Sequence, residues 1–280
     1  MYLVIGATGN VGGELVSQLH RHGHSVRAFV RNPAKASFPE GVELAVGDLD
    51  NAESLTAAAQ GVDAVFFMQV APVPAQAETF IRAVSAAGVK RVVVLSSIGT
   101  RLEPKPIIGA SIAARDQVFR QSDLDVTYLC PNALHSNALW WADSIREEGR
   151  VLDASDPGKT VPTDPGDIAR VAALALTEEG HVGKTYILNG PEALSAREQV
   201  EILADVLRRD IKFVAETPEE FASRSVESGT PEPQAKALRN LYELFGAGRA
   251  GVVSNDVENL TGVAPRSFRE WCERHVDELR

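Results

Sequence analysis

The chain has 280 residues, with 28 Lys and Arg against 38 Asp and Glu, for a formal charge of −10. Nucleic-acid affinity rests on clustered cations that neutralise phosphates, and no basic block breaks this acidic balance, so a polyanion-binding role is excluded. With 44% hydrophobic and 24% charged residues, the composition is that of a globular chain with a sizeable core, in one large domain or two small ones.

Cys130 and Cys272 are too few for a disulfide framework and are not spaced as a metal site, so reduced thiols, no metal and an intracellular location are expected. The N-terminus runs directly into Tyr2-Leu3-Val4-Ile5-Gly6 with no basic region before it. No stretch reaches the ~18 consecutive apolar residues that span a bilayer, which points to the cytoplasm and away from a membrane partner.

Short apolar, β-branched runs alternate along the chain with stretches of helical period, the pattern of a parallel sheet covered on both faces by helices. The runs predict strands over Tyr2 to Ile5, Ser25 to Val30, Val42 to Val46, Ala64 to Met68, Val92 to Leu95 and Val126 to Cys130, with a seventh over Thr185 to Asn189. Between the first two, Val11, Leu15 and Leu19 fall on one helical face, and Gly23 follows as a C-cap. Asp50-x-x-Glu53 has capping-box form and opens the helix after the third strand. Beyond about Asp153, Pro and Gly punctuate 156–158 and 162–166, after which Ser195-x-x-Glu198, Thr217-x-x-Glu220 and Ser267-x-x-Glu270 announce capped helix starts. The expected organisation is an α/β, Rossmann-type doubly wound parallel sheet over residues 1–155. A small, mostly helical lobe over 156–280 follows it, with the strand near 185–189 returning to the sheet.

Gly6-Ala7-Thr8-Gly9-Asn10-Val11-Gly12 lies between the first strand and the first helix, with glycines at spacing G-x-x-G-x-x-G. A tight strand-to-helix turn needs residues free of Cβ, backbone must come close to a pyrophosphate, and the helix N-terminus supplies oriented N–H groups for its charge. A structural Gly-rich turn is the plainer alternative; the position at the start of a βαβ series favours dinucleotide binding. The end of the second strand separates the two nicotinamide cofactors, since an acid there accepts from the ribose hydroxyls whereas an Arg accommodates a 2′-phosphate. Here the chain reads Phe29-Val30-Arg31-Asn32-Pro33, with no acid beside Arg31 and with Lys35 as a second cation, so NADP(H) is preferred over NAD(H). Asp48, in Gly47-Asp48-Leu49 after the third strand, is placed to meet the adenine, and an ordinary turn Asp is the alternative on spacing alone.

These letters resemble the NmrA-like, atypical branch of the short-chain dehydrogenase/reductase superfamily, which includes NAD(P)H quinone oxidoreductases and redox-sensing regulators. The resemblance runs nearly end to end. It rests on 4–12, Val30-Arg31-Asn32-Pro33, Gly47-Asp48-Leu49, Gly61-Val62-Asp63-Ala64-Val65-Phe66, Val93-Val94-Leu95-Ser96-Ser97, Asp167-Ile168-Ala169, Gly183-Lys184-Thr185-Tyr186 and Thr261-Gly262 with Pro265-Arg266-Ser267-Phe268. It implies a Rossmann domain with a small C-terminal lobe and a substrate in the cleft between them. Gly6, Thr8, Gly9, Asn10, Val11 and Gly12 would hold the pyrophosphate, Arg31 the 2′-phosphate and Asp48 the adenine, with Asn32 and Leu49 also among the cofactor-binding residues. Met68 and Gln69 would line the adenosine side, and Ser96, Ser97, Pro131, Asn132 and Ala133 would surround the nicotinamide. Cys130 stands where relatives often carry Arg.

Typical members of the superfamily reduce carbonyls with a Tyr-x-x-x-Lys pair, whose ammonium lowers the phenol's pKa for proton relay. The tyrosines are Tyr2, Tyr128, Tyr186 and Tyr242, and the residues four positions on are Gly6, Asn132, Gly190 and Gly246; none is Lys. The helix expected to carry the pair reads Gly109-Ala110-Ser111-Ile112-Ala113-Ala114-Arg115-Asp116-Gln117, where Arg115 and Asp116 read as an exposed charge pair. Carbonyl reduction needs a proton on oxygen, whereas a quinone is reduced to a stabilised phenolate, so positioning against the nicotinamide suffices, with water or Ser97 completing the proton transfer. His135 stands just past the sixth strand as a candidate general acid, against the plainer reading of a hydrogen-bonded or solvent-facing imidazole. Asn137, Trp140 and Trp141 are candidates for the wall of a pocket for a flat substrate, and a structural aromatic pair is the alternative for the tryptophans.

The leading expectation is an NADPH-dependent oxidoreductase that transfers hydride to a small quinone-like or aromatic acceptor. A sensor that binds the dinucleotide without turnover and works through a protein partner would equally lack the pair. An epimerase is disfavoured, because such enzymes generally retain Tyr and Lys.

Overall fold

The computed structural model describes residues 1–69 and 73–280. β1 (Tyr2–Ile5) buries its last three residues, and α1 (Asn10–Arg21) follows through the glycine loop. Val11, Leu15, Val16 and Leu19 form the buried stripe of α1 expected from their period, and Gly23 at φ +80° carries the chain away from its end. Next come β2 (Val26–Val30), β3 (Glu43–Val46), α2 (Ala52–Ala59), β4 (Ala64–Phe67), α3 (Pro74–Ala86), β5 (Arg91–Leu95), α4 (Ile107–Arg120) and β6 (Asp125–Pro131). The remainder comprises α5 (Ala142–Glu148), β7 (Arg150–Asp153), β8 (Lys159–Thr160), α6 (Pro165–Thr177), β9 (Thr185–Leu188), β10 (Leu194–Ser195) and α7 (Ala196–Leu207). β11 (Lys212–Ala215), α8 (Pro218–Glu227), α9 (Glu232–Gly246), α10 (Asp256–Thr261), α11 (Phe268–Arg274) and α12 (Val276–Leu279) complete it.

Seven strands form one sheet in the order β3-β2-β1-β4-β5-β6-β9. The pairs from β3 across to β6 are parallel, with Tyr2 opposite both Val26 and Ala64, and Arg91 opposite Asp125. Helix-covered strands are apolar throughout rather than alternating, and all four residues of β4 are buried. Strand order reverses between β1 and β4, and in open parallel sheets the crevice at such a switch point, beyond the carboxyl ends, is where ligands bind.

The chain divides into two compact units. The first comprises Met1–Ser97, Ser111–Cys130 and Pro165–Tyr186. Its core includes Leu3, Ile5, Phe67, Phe80, Val94 and Phe119, with the rings of Phe67 and Phe80 4.5 Å apart and those of Phe67 and Phe119 5.0 Å apart. Each such fully buried side chain contributes about 1.5–3 kcal/mol. α6 belongs to this unit and packs on α1, where Gln18 Nε2 donates to the Gly166 carbonyl at 2.8 Å.

The second unit comprises Ile98–Ala110, Pro131–Asp164 and Ile187–Arg280, so segments from both sides of residue 155 enter each unit. β7 and β11 pair in parallel, β8 and β10 antiparallel; β8, β10 and β11 are short strands in the region expected to be mostly helical, and β7 lies just before it. Runs of two to four residues carry too little alternation to stand out in sequence. Val151, Leu203, Leu207, Phe268 and Trp271 form its core. The capping boxes Ser195/Glu198, Thr217/Glu220 and Ser267/Glu270 are all formed, opening α7, α8 and α11. α2 differs from expectation: its N-cap is Asn51, whose side chain accepts from the Ser54 amide at 3.0 Å, because the Asp50 carboxylate is instead bonded by Gln76.

Candidate functional site

The glycine loop forms a close-packed turn at the carboxyl end of β1. Gly6 has φ +77°, and a Cβ there would lie 2.9 Å from Met68 Sδ; a Cβ on Gly12 would lie 2.2 Å from the Gly6 carbonyl oxygen. Only glycine lets α1 approach the end of β1 this closely. The Gly9 amide donates to the Gly6 carbonyl at 3.0 Å, and Gly9 caps α1 with no side-chain acceptor and no acid in the first turn. The helix therefore presents N–H groups and the positive end of its dipole toward the loop, an arrangement that favours an anion. Val11 and Gly12 are buried beneath, whereas Thr8 and Asn10 are exposed.

Beside the loop lies a cavity of about 460 Å³ within the first unit. Its apolar lining comes from Ile5, Phe29, Val30, Leu49 and Val73, and Gly6, Thr8, Gly9, Arg31, Asp48, Met68, Gln69 and Gln76 complete it. Arg31 is exposed, and among the described residues no acid pairs with it. Asn32 Oδ1 accepts from the Ala34 amide at 3.0 Å, capping the short turn Pro33–Lys35. Asp48 is half-buried and accepts from the Asp50 amide at 3.0 Å, which fixes its carboxylate at the rim.

Gln76, which no sequence motif flagged, closes one side. Its Nε2 donates to both Asp50 oxygens at 2.9 Å, while its Oε1 accepts from Gln69 Nε2 at 2.7 Å. Gln69 Nε2 also donates to the Val73 carbonyl at 3.2 Å. Gln69 Oε1 is buried without a partner among the described residues. An unmet buried acceptor costs about 1–3 kcal/mol, and an N–H or O–H of a ligand would relieve it. Open amides at a helix N-terminus, a cation with no acid, an apolar wall and this orphaned acceptor together suit a nucleotide bearing a phosphate on its ribose.

At the carboxyl end of β5, Arg115 and Asp116 correct the expectation of an exposed pair: they are 1% and 4% exposed. Arg115 Nη2 donates to Asp116 Oδ1 at 2.6 Å and to the Leu95 carbonyl at 2.9 Å, and Ser96 Oγ donates to Asp116 Oδ2 at 2.5 Å. α4 turns this flank toward the sheet, so both charges are enclosed and each is the other's compensation. The Tyr128 hydroxyl lies 3.4 Å from the Asp116 carbonyl, and burial pushes its phenol up to about 12, against the opposing effect of Arg120. This tyrosine therefore stays protonated at neutral pH, the reverse of a phenol lowered by a neighbouring lysine.

Pro131, Asn132, His135, Asn137, Trp140 and Trp141 belong to the second unit. Asn132 uses both ends of its amide there: Nδ2 donates to the Ala250 carbonyl and Oδ1 accepts from the Ala133 amide, each at 2.8 Å. His135 is 1% exposed, with its ring 5.4 Å from Phe268 and 6.3 Å from Trp271. Burial pushes its imidazole down to about 4, outweighing the opposing pull of the Asp164 carboxylate. Asn137 is half-buried, Trp141 packs against the unit's core, and Trp140 is 68% exposed; the segment 135–141 is a 3₁₀ helix. Ser97 is half-buried after β5, in the first unit.

The His135 environment has a pH consequence. Above the ordinary imidazole pKa of 6.5 the ring is neutral both folded and unfolded, so its contribution to stability is complete. As pH falls from 6.5 toward 4 the unfolded chain takes up a proton that the folded ring refuses, and about 3 kcal/mol of stability is lost. Urea unfolding of the protein and of His135→Leu at pH 7.5 and 4.5 is expected to show a smaller acid-induced loss in the variant. Equal losses would refute this.

Among the described residues, no group of three or more His, Cys, Asp and Glu side chains is arranged to hold a metal, and no helix is long and apolar enough to cross a membrane. The NAD(P)H-binding family profile matches residues 6–179, from the glycine loop to just beyond α6. NAD(P)H azoreductase of Xenophilus azovorans is 35% identical, covering 99% of this chain and 98% of its own. A (4-alkanoyl-5-oxo-2,5-dihydrofuran-3-yl)methyl phosphate reductase of Streptomyces griseus is also 35% identical, covering 99% and 98%. Among solved structures, the NADPH-dependent quinone oxidoreductase QOR2 of Escherichia coli complexed with NADPH superposes with a TM-score of 0.84 at 25% identity, covering 98% of this chain and 99% of that one.

Proposed function

The chain belongs to the NAD(P)H-binding family, in the atypical short-chain dehydrogenase/reductase branch that its motifs resemble, and on that premise we propose that it is an NADPH-dependent reductase of small conjugated acceptors, quinone-like or aromatic. That it is an NAD(P)H-dependent oxidoreductase follows from the family and its relatives. The observation that carries the finer reading is the cavity in which the open N-terminus of α1 and the unpaired Arg31 offer two separate places for phosphate.

In this reading the amides from Gly6 to Gly12, with Thr8 and Asn10, hold the pyrophosphate. Arg31, beside the turn capped by Asn32, takes the 2′-phosphate. Asp48, Leu49, Met68 and Gln69 surround the adenosine, with Gln69 Oε1 gaining a donor that it lacks among the described residues. Ser96, at the carboxyl end of β5, belongs to the nicotinamide end. Bound NADPH supplies the hydride. The absent Tyr-x-x-x-Lys pair then sets the acceptor class, since conjugation disperses the charge left by hydride addition and relaxes the demand for a strong acid. The names of the relatives point the same way: an azo compound, an acyl-dihydrofuranone phosphate and a quinone are all conjugated. Ser97 or water completes the proton transfer. The sealed, neutral His135 is given a packing role and not this one. Asn137, Trp140 and Trp141 remain candidates for the acceptor's surroundings. The net charge of −10 and the buried thiols Cys130 and Cys272, which form no disulfide, agree with a cytoplasmic enzyme that has no nucleic-acid partner.

Anaerobic loss of NADPH absorbance with a panel of quinones, azo dyes and unconjugated ketones tests the proposal. Turnover is expected with the first two and not the third. Tight NADPH binding with no consumption across the panel would overturn catalysis and favour a dinucleotide sensor that acts through a protein partner.

A further inference from the structure

The buried pair Arg115–Asp116 is not used by the reading above. Two enclosed charges give little net stability over an apolar pair of the same volume, so their arrangement matters for what it holds in place. What it holds is Ser96. Arg115 Nε and Nη2 both bond Asp116 Oδ1, and Nη2 also bonds the Leu95 carbonyl, so the carboxylate is locked to the end of β5. Its second oxygen accepts from Ser96 Oγ at 2.5 Å. The Ser96 amide is likewise committed, to the Leu129 carbonyl at 2.7 Å.

A serine hydroxyl has one proton and two lone pairs, and a carboxylate has none to give. With its proton committed to Asp116, Ser96 Oγ offers only lone pairs to anything beyond the strand end. β5 is second from the switch point on the side away from the Arg31 cavity, which borders β1, β2, β3 and β4. A dinucleotide that straddles the switch point with its adenosine half in that cavity extends its other half over β4 and β5.

We propose that Asp116, held by Arg115, is a positioning residue that makes Ser96 Oγ an obligate acceptor for the carboxamide N–H₂ of the nicotinamide, and so fixes the orientation of the ring. The inference rests on the reading of the site as an NADP(H) site. It assigns Ser96 to binding the amide, not to proton donation, and it requires the site to prefer a pyridine ring whose 3-substituent donates.

The test compares equilibrium binding of NADPH with its reduced 3-acetylpyridine analogue, which replaces the amide nitrogen by a methyl group. The unsubstituted protein is expected to bind NADPH about fivefold to tenfold tighter than the analogue, the worth of one hydrogen bond. Ser96→Ala, which leaves the Arg115–Asp116 pair intact, is expected to bring the ratio close to one, and Ser96→Thr to restore it. The double variant Arg115→Met/Asp116→Leu keeps Ser96 but frees its proton, and its ratio is expected to fall within about twofold of one. A general loss of packing would weaken both ligands together and leave the ratio unchanged. Equal ratios in the unsubstituted protein and in Ser96→Ala, with NADPH bound by both, would overturn the inference and leave the proposed function standing. Failure of the unsubstituted protein to bind NADPH at all would overturn both.

Discussion

Replacing Arg31 by Glu is expected to weaken NADPH binding by about 10-fold to 100-fold while changing NADH binding by less than about threefold. The guanidinium is exposed at the rim of the cavity and has no competing carboxylate among the described residues, so its donors are available to a phosphate. A charge-assisted hydrogen bond of this kind is worth about 1.5–3 kcal/mol, and each 1.4 kcal/mol is tenfold in affinity. Reversing the charge also sets a carboxylate against the 2′-phosphate, while an unphosphorylated ribose finds in Glu an acceptor for its hydroxyls. Arg31→Lys keeps the charge but loses the planar fork, and an intermediate loss is expected. The ratio of the two dissociation constants, by titration at one fixed ionic strength since exposed charges are screened, decides the matter. An unchanged NADPH/NADH ratio in Arg31→Glu would remove Arg31 from the 2′-phosphate and with it the stated cofactor preference.

The fold is readable in the sequence wherever burial on both faces writes a strand as a continuous apolar run, which is why Ala64–Phe67 and its neighbours stand out. Ser195, Thr217 and Ser267 are equally legible, because a capping box is a local bargain among four residues. Legibility fails where a side chain's fate is decided by a distant element. Arg115 and Asp116 look solvated when adjacent charges on a helix are read alone, and only the approach of α4 to Ser96 shows that they are enclosed. Asp50 has the form of an N-cap, but Gln76 in a different helix takes its carboxylate and Asn51 becomes the cap. Gln76 itself has no motif, since a glutamine in the first turn of a helix is ordinary until the geometry joins it to Gln69 and Asp50. Asn132 could be placed at a strand end from sequence, but not with its amide spent on Ala250, 118 residues away.

Asp116→Ala is expected to be the most destabilising single substitution considered for the first unit, by about 3–5 kcal/mol. The removed carboxylate leaves a guanidinium at 1% exposure with the Leu95 carbonyl and, 5.8 Å away, the Phe67 ring, and it also leaves the Ser96 hydroxyl without its acceptor. Neither group can reach water without opening the contact between α4 and the sheet. The double variant Arg115→Met/Asp116→Leu removes both charges at similar volume and is expected to recover most of that loss, because the desolvation cost disappears with the attraction. Urea midpoints of the three proteins at pH 7.5 measure this directly. If the single variant were as stable as the double, the pair would be reached by water in solution, and Ser96 would lose the fixed partner on which its role as an acceptor depends. If the double variant regains stability and yet binds NADPH and its acetylpyridine analogue alike, the two buried charges are retained for the orientation of one hydroxyl, at the expense of an apolar packing the fold could otherwise have had.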